Sequence, residues 1–332
     1  MTGPDLQSLQ TYFHLMNLNG SAQVYHTALE LGVFDALLRE AKSAAQVAQA
    51  CETREEPTAL LLDALSRLGL LSVERSDQQP SVFSLTEVAR MILMSEYREL
   101  GDQYWRHLPD FLRTGRPMKK MDAAAESEEH YQSRVAMLGW MLSHAAAEAA
   151  ERLDIGGRRT GLSILDVGAG SGVWSLAMAA RDVNTNVTAV DWPAVLEVAR
   201  ETAETLGAQE RLQTLSGNFL EVELPAGAFD LAVAANVTHL LTAEQNRSLF
   251  EKLHAALRPG GELLIIDALP GSSLGDVPLA LYHLGLVLRT ENGHVYSPQE
   301  LRQLLGDRFA VEPVIPLDAP PHVVGMLLAR KH

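Results

Sequence analysis

An apolar strand running straight into three closely spaced glycines, Ile164-Leu165-Asp166-Val167-Gly168-Ala169-Gly170-Ser171-Gly172, constrains this chain more than any other feature. Glycine accepts the left-handed backbone of a tight turn and lets a ligand approach the main chain. A strand, a glycine turn and a following helix therefore describe the nucleotide-binding corner of an α/β sheet. The carboxyl-terminal half agrees. Residues 162–167, 186–191, 211–219, 229–237 and 262–269 read as strands, spaced by helical stretches such as 194–206 and 243–257, the pattern of a parallel sheet wrapped by helices. Arg258-Pro259-Gly260-Gly261 reads as the turn that admits the fifth strand, and residues 309–317 and 323–329 as a closing antiparallel pair.

At 332 residues the chain exceeds what one hydrophobic core organises, so a second domain is expected before the sheet. Helical patterns at 24–34, 44–51 and 57–68, with Pro57 in a first turn and Gly69 at an end, precede two short apolar runs. Those runs, Leu70-Leu71-Ser72-Val73 and Val82-Phe83-Ser84-Leu85, flank the polar tip 74–81 and signal a hairpin. The succession is that of a winged helix. Such modules often read DNA, yet acids outnumber bases in residues 21–95, the helix that would enter a groove carries Glu55, Glu56 and Asp63, and the whole chain has a formal charge of −15. Phosphate backbones are repelled by such a surface, and no nucleic-acid partner is expected.

Residues 96–155 look helical and join the two halves, broken at Gly115-Arg116-Pro117 and ending in a long amphipathic run from 131 to 153. The resulting division is 1–95, 96–155 and 156–332. No apolar run reaches the ~18 residues of a membrane span, and the first ten residues lack the basic and apolar regions of a signal peptide. A cytoplasmic location with no membrane partner is the expectation. The lone cysteine, Cys51, reads as a small buried thiol.

A dinucleotide fingerprint would put its third glycine at Val173 and would not call for Asp166. The D-x-G-x-G-x-G form of Asp166, Gly168, Gly170 and Gly172 instead resembles motif I of class I methyltransferases, which bind S-adenosylmethionine. Asp191 ends the second strand, where a carboxylate can accept both ribose hydroxyls. Gly217-Asn218-Phe219 ends the third strand, placing an amide (Asn218) and a ring (Phe219) where adenine would be read and stacked upon. Glycine turns and strand-end acids also occur singly as plain structure; three such signals in order are harder to explain that way.

Together, Asp166 to Gly172, Val190-Asp191-Trp192-Pro193, Gly217-Asn218-Phe219, Asn236-Val237-Thr238-His239 and Leu257-Arg258-Pro259-Gly260-Gly261 resemble the plant-type or hydroxyindole O-methyltransferase family. Ala28-Leu29-Glu30-Leu31-Gly32-Val33-Phe34-Asp35 resembles that family's winged-helix dimerisation domain. The resemblance implies a doubly wound, Rossmann-like class I methyltransferase domain preceded by a helical winged-helix domain. It implies a homodimer whose amino-terminal domains intertwine and contribute to the partner's substrate pocket. It also adds Trp192 and Asn236 to the cofactor residues. Departures from the pattern are specific. Asn218 replaces an aspartate, His239-Leu240-Leu241 replaces His-Asp-Trp, the acid that supports the histidine falls on Asp267, and a second glutamate falls on Val295. Glu291 is near enough in sequence to substitute for it; a solvated surface glutamate is the alternative.

His239 follows the fourth strand and Asp267 ends the fifth, so both belong at the carboxyl edge of the sheet beside the cofactor crevice. A phenol of pKa ~10 is mostly protonated at neutral pH. A neutral His239 able to take its proton, with Asp267 fixing the tautomer, would supply the base that methyl transfer to oxygen requires. The competing reading of His239 is a helix-start histidine bonded to backbone. Tyr104, Trp105, Met137, Trp140, Met141, Tyr282, His283 and Leu286 are the substrate-pocket candidates, because the family covers its crevice with these helices; ordinary core packing is their alternative. The histidines show no metal-ligand spacing. The leading function is methylation of a hydroxyl on an aromatic or natural-product small molecule. Transfer to sulfur, nitrogen or carbon by positioning alone, and a non-catalytic DNA-binding regulator, are the alternatives.

Overall fold

The computed structural model describes residues 5–75, 80–95, 98–122, 131, 134–269 and 276–332. It divides into two compact units, Met1–Gln103 and Tyr104–His332.

In the first unit the helix expected at 24–34 is the end of a far longer one, Leu6–Glu30, whose first turn is capped by the Asp5 carboxylate accepting the Ser8 amide at 2.8 Å. Gly32, at φ +72°, stops it and starts the short helix Val33–Ala36. Its first half escapes periodicity because apolar residues surround it: Leu6, Tyr12, Phe13, Leu15, Met16 and Leu18 are each more than half exposed. Helix Ala44–Ala50 opens on a capping box in which Ser43 and Gln46 satisfy each other's backbone amides. Helix Glu55–Arg67 carries Pro57 in its first turn. Strands β1 (Lys42–Ser43), β2 (Leu71–Glu74) and β3 (Val82–Leu85) form an antiparallel sheet in the order β1-β3-β2. The hairpin register runs from Leu71↔Leu85 to Glu74↔Val82; residues 76–79 of the expected tip lie outside the described residues. Phe34, Leu37, Leu62, Leu65, Leu71 and Phe83 meet in the core of this winged-helix arrangement.

In the second unit β4 (Ser163–Val167), β5 (Asn186–Asp191), β6 (Leu212–Ser216), β7 (Phe229–Ala235), β8 (Leu257–Ala268), β9 (Phe309–Val311), β10 (Ile315–Pro316) and β11 (Val324–Lys331) build one sheet. Its order is β10-β11-β8-β7-β4-β5-β6, with β9 also on β11. β4 to β8 are mutually parallel, and β11 runs antiparallel to β8 from Val324↔Ala268 to Arg330↔Glu262. Three sequence expectations are corrected. Arg258 to Gly261 is not a turn before the strand but an irregular stretch inside β8, where pairing jumps from Phe229↔Leu257 to Leu231↔Glu262. β6 stops at Ser216 because Gly217 takes φ +144°, and β7 stops at Ala235 because Asn236 is left-handed at φ +56°. The closing strands pair antiparallel as expected, β9 and β10 both with β11, which lies between β10 and β8.

The segment between the halves holds helices Asp102–Thr114 and Val135–Arg152; residues 123–130 and 132–133 lie outside the described ones. Val135–Arg152 presents Ala145, Ala146, Ala149 and Ala150, all buried, to the core that holds Trp174 and Met178 of helix Val173–Arg181. Small side chains at i, i+1, i+4 and i+5 let two helices approach closely, and a leucine in that stripe would overpack it at a cost of ~1–3 kcal/mol. Among the described residues no helix is long and apolar enough to cross a membrane.

Candidate active site

β4 delivers its last residue, Val167, into a turn in which Gly168, Gly170 and Gly172 all take positive φ (+64°, +58° and +68°). The amides of Gly168 and Ala169 donate to the Val190 carbonyl of β5 at 2.9 and 3.2 Å, tying the turn to the neighbouring strand. A Cβ on Gly168 would sit 2.5 Å from Val237 Cγ1 and 3.3 Å from the Phe219 ring, and one on Gly172 would sit 2.8 Å from Leu176. Only glycine keeps this turn close to its surroundings, which leaves a cavity above it. Helix Val173–Arg181 then begins with its amino end beside that cavity.

Asp191, at the end of β5, reaches across to the turn. One carboxylate oxygen accepts the Gly170 amide at 2.8 Å and the other accepts its neighbour Trp192's amide at 2.7 Å. Of the residues named as cofactor candidates, Gly168, Gly170, Asp191, Trp192, Phe219 and Asn236 line the cavity. Asp166, Gly172 and Asn218 do not. Asp166 is buried under the turn, where the Ser175 hydroxyl donates to it at 2.5 Å. Burial first, and then the nearby Asp191 charge, push its carboxyl up to about 7 against the Ser175 bond. Gly172 backs onto Leu176 and Ala199. The Asn218 side chain is spent on its own turn, accepting the Leu220 amide at 3.0 Å and donating to Glu221 at 3.3 Å.

The far wall comes from residues the sequence reading passed over: Tyr131 and, from helix Val135–Arg152, Val135, Leu138, Gly139 and Leu142. The candidates chosen there, Met137, Trp140 and Met141, lie off that face, with Trp140 and Met141 exposed. The i, i+3, i+4, i+7 spacing that continues into the buried alanines marks the inward face. Gly139 belongs to it because a Cβ there would meet Ser171 Oγ at 2.4 Å.

On the other side of the cavity the left-handed Asn236, whose amide donates to Ile266 at 2.7 Å, turns the chain after β7 into a 3-10 turn, Thr238–Leu240. Asn246 donates to the Thr238 and Leu241 carbonyls and holds the turn in place. His239 is thereby set over Asp267 at the end of β8. Asp267 accepts from His239 Nδ1 at 2.6 Å, from the amides of His239 (3.2 Å) and Ala268 (2.8 Å), and from the Thr238 hydroxyl. Burial by itself would raise this carboxyl, but the His239 charge and these hydrogen bonds outweigh it and hold the group below its ordinary value. A carboxylate only accepts, so Nδ1 carries the hydrogen, and in the neutral ring Nε2 is the nitrogen that keeps the lone pair. The ring is bonded to a carboxylate rather than to backbone, unlike the structural alternative. His239 is 7% exposed.

Val295 is buried with Ala268 and Leu286, and Leu240, Leu279 and Tyr282 pack against them. Glu291 does not replace the missing carboxylate: it is half-exposed and paired with Lys120 at 2.5 Å. Of the remaining substrate candidates, Tyr282 meets His239 edge-on with ring centroids 5.8 Å apart, and His283 meets His294 edge-on at 5.7 Å. Tyr104 is buried under the Arg289 guanidinium, 5.7 Å from its ring centre, and Trp105, partly exposed, lies by Gly285.

Comparison with known proteins adds independent findings. A family model described as a methyltransferase domain matches residues 164–261, and one described as an O-methyltransferase dimerisation domain matches residues 13–95. The chain is 27% identical to acetylserotonin O-methyltransferase of Gallus gallus, covering 91% of this chain and 92% of that one. It is 27% identical to 3-hydroxy-5-methyl-1-naphthoate 3-O-methyltransferase of Streptomyces sahachiroi, covering 86% and 84%. The solved structure of human N-acetylserotonin methyltransferase in complex with SAM shares its fold, with a TM-score of 0.71, 23% identity and coverage of 100% and 99%.

Proposed function

The chain belongs to the plant-type or hydroxyindole O-methyltransferase family, and from that premise we propose that it transfers a methyl group to a hydroxyl of an aromatic small molecule with His239 as general base. Its cofactor is S-adenosylmethionine. The cradle above Gly168, which a Cβ would fill, and the Asp191 carboxylate on the cavity wall fit a nucleoside with a ribose diol. When bound there, the cofactor supplies an electrophilic methyl on a sulfonium.

The 2.6 Å bond between His239 Nδ1 and Asp267 carries the assignment of the base. It orients Nε2, selects the neutral tautomer in which that nitrogen carries the lone pair, and places a buried negative charge where the imidazolium forms. Gly168, Gly170, Asp191 and Trp192 hold the cofactor, with Phe219 and Asn236 completing its wall. Val135, Leu138 and Leu142 close the cavity against water, and Tyr282, His283 and Leu286 border the acceptor. Residues 1–95 form the dimerisation module of a homodimer, joined through the exposed apolar side chains of helix Leu6–Glu30, and 96–155 contribute to the substrate pocket of 156–332.

The test is methyl transfer from labelled S-adenosylmethionine to a panel of phenols, thiols and amines by the wild type and by His239→Ala. The variant is expected to lose ~10²- to 10⁴-fold in kcat on hydroxyl acceptors with cofactor affinity nearly intact. Wild-type rates on the hydroxyl acceptor would leave alignment alone as the mechanism.

A further inference from the structure

The ring of His239 is buried, and both of its nitrogens face other side chains. Nδ1 is held by Asp267, and Nε2 lies 3.4 Å from the Tyr282 hydroxyl. Val237 and Leu240, on either side of His239 in sequence, line the cofactor cavity, whereas neither His239 nor Tyr282 does. Tyr282 comes from a different element, helix Asp276–Val287, is only half-buried, and packs with Leu240 and Leu279 against the buried group of Ala268, Leu286 and Val295. A phenol hydroxyl both donates and accepts, which is what a group standing between a buried base and an incoming hydroxyl needs.

We propose that Tyr282 relays the acceptor's proton to His239, an inference that rests on His239 being the base. The acceptor hydroxyl donates to Tyr282 Oη. As its oxygen forms the new bond to the methyl carbon, the sulfur–carbon bond breaks and its electron pair stays on sulfur. The acceptor's proton passes to Tyr282 Oη while the proton of Tyr282 passes to His239 Nε2. Tyr282 is neutral before and after, and the positive charge ends on the imidazolium beside Asp267.

Two measurements on the full-length wild type, Tyr282→Phe and His239→Ala test the relay. The first is transfer to 4-methylphenol and 4-nitrophenol at about pH 8.5, where the second is already ionised and needs no base. Tyr282→Phe is expected to lower turnover of 4-methylphenol ~10- to 100-fold and that of 4-nitrophenol less than ~3-fold. An equal loss on both would make Tyr282 a packing residue, and no loss on 4-methylphenol would remove it from the proton path; either overturns the relay. If His239→Ala keeps wild-type turnover of 4-methylphenol, the base assignment falls and the relay with it. If His239→Ala fails and Tyr282→Phe does not, the relay alone falls. The second measurement needs no acceptor: the ¹⁵N signal of His239 Nε2 is expected to move in Tyr282→Phe, as a lost hydrogen-bond donor requires, and an unchanged signal overturns the relay.

Discussion

Nδ1 of His239 donates to the Asp267 carboxylate across 2.6 Å, joining the turn after one central strand to the end of the next. Three further donors, the Thr238 hydroxyl and the amides of His239 and Ala268, converge on that carboxylate. Asp267→Asn keeps the volume but offers only one accepting oxygen to this set, and it loosens the histidine without deleting it. Its kcat on a hydroxyl acceptor is expected to fall ~10- to 10²-fold, less than for His239→Ala. Steady-state rates of the two variants side by side check the order, and a larger loss for Asp267→Asn would contradict the base assignment.

Asp191 has two tasks, bonding the Gly170 and Trp192 amides and facing the cavity. Asp191→Ala is expected to weaken S-adenosylhomocysteine binding by ~1.5–3 kcal/mol through lost charged hydrogen bonds. Calorimetry measures it directly. Unchanged affinity would remove Asp191 from the cofactor site.

Asp166 makes stability depend on pH. Its folded pKa, about 7, lies above the ordinary 3.8, so between these values the native state holds a proton that the unfolded chain has released. Its contribution is fully present below about 3.8 and is lost as pH rises through about 7. The slope approaches ~1.4 kcal/mol per pH unit. Urea midpoints without added cofactor are expected to fall across this window in the wild type and to fall less in Asp166→Asn. Parallel curves for the two proteins would rule the effect out.

The exposed apolar side chains of helix Leu6–Glu30 are those expected to join two copies. Phe13→Glu with Met16→Glu, both at positions more than half exposed, should leave the helix intact and shift the chain toward monomer. Light scattering across a dilution series reads the mass. A wild type that is monomeric at micromolar concentration, or a variant that stays dimeric, would count against this interface.

The sequence by itself determined the parallel sheet and the glycine turn, because each rests on local rules, while the pair His239 and Asp267 was legible through the family resemblance together with their positions at strand ends. Strand period, left-handed glycine and position at a strand's end are visible within a few residues. What only the tertiary structure decided were the questions of facing. Whether Met137, Trp140 and Met141 or Val135, Leu138 and Leu142 look inward depends on how the Val135–Arg152 helix rolls onto the sheet. Whether Asp166 and Asn218 touch a ligand depends on which neighbour satisfies them first, and Ser175 and the Leu220 amide do so locally. Tyr282 was visible as an aromatic residue on a helix, but its 3.4 Å approach to Nε2 of His239 joins residues 43 positions apart. Packing sets such a distance, since the favourable burial of an apolar cluster, here Ala268, Leu286 and Val295, fixes a side chain that no local pattern orients.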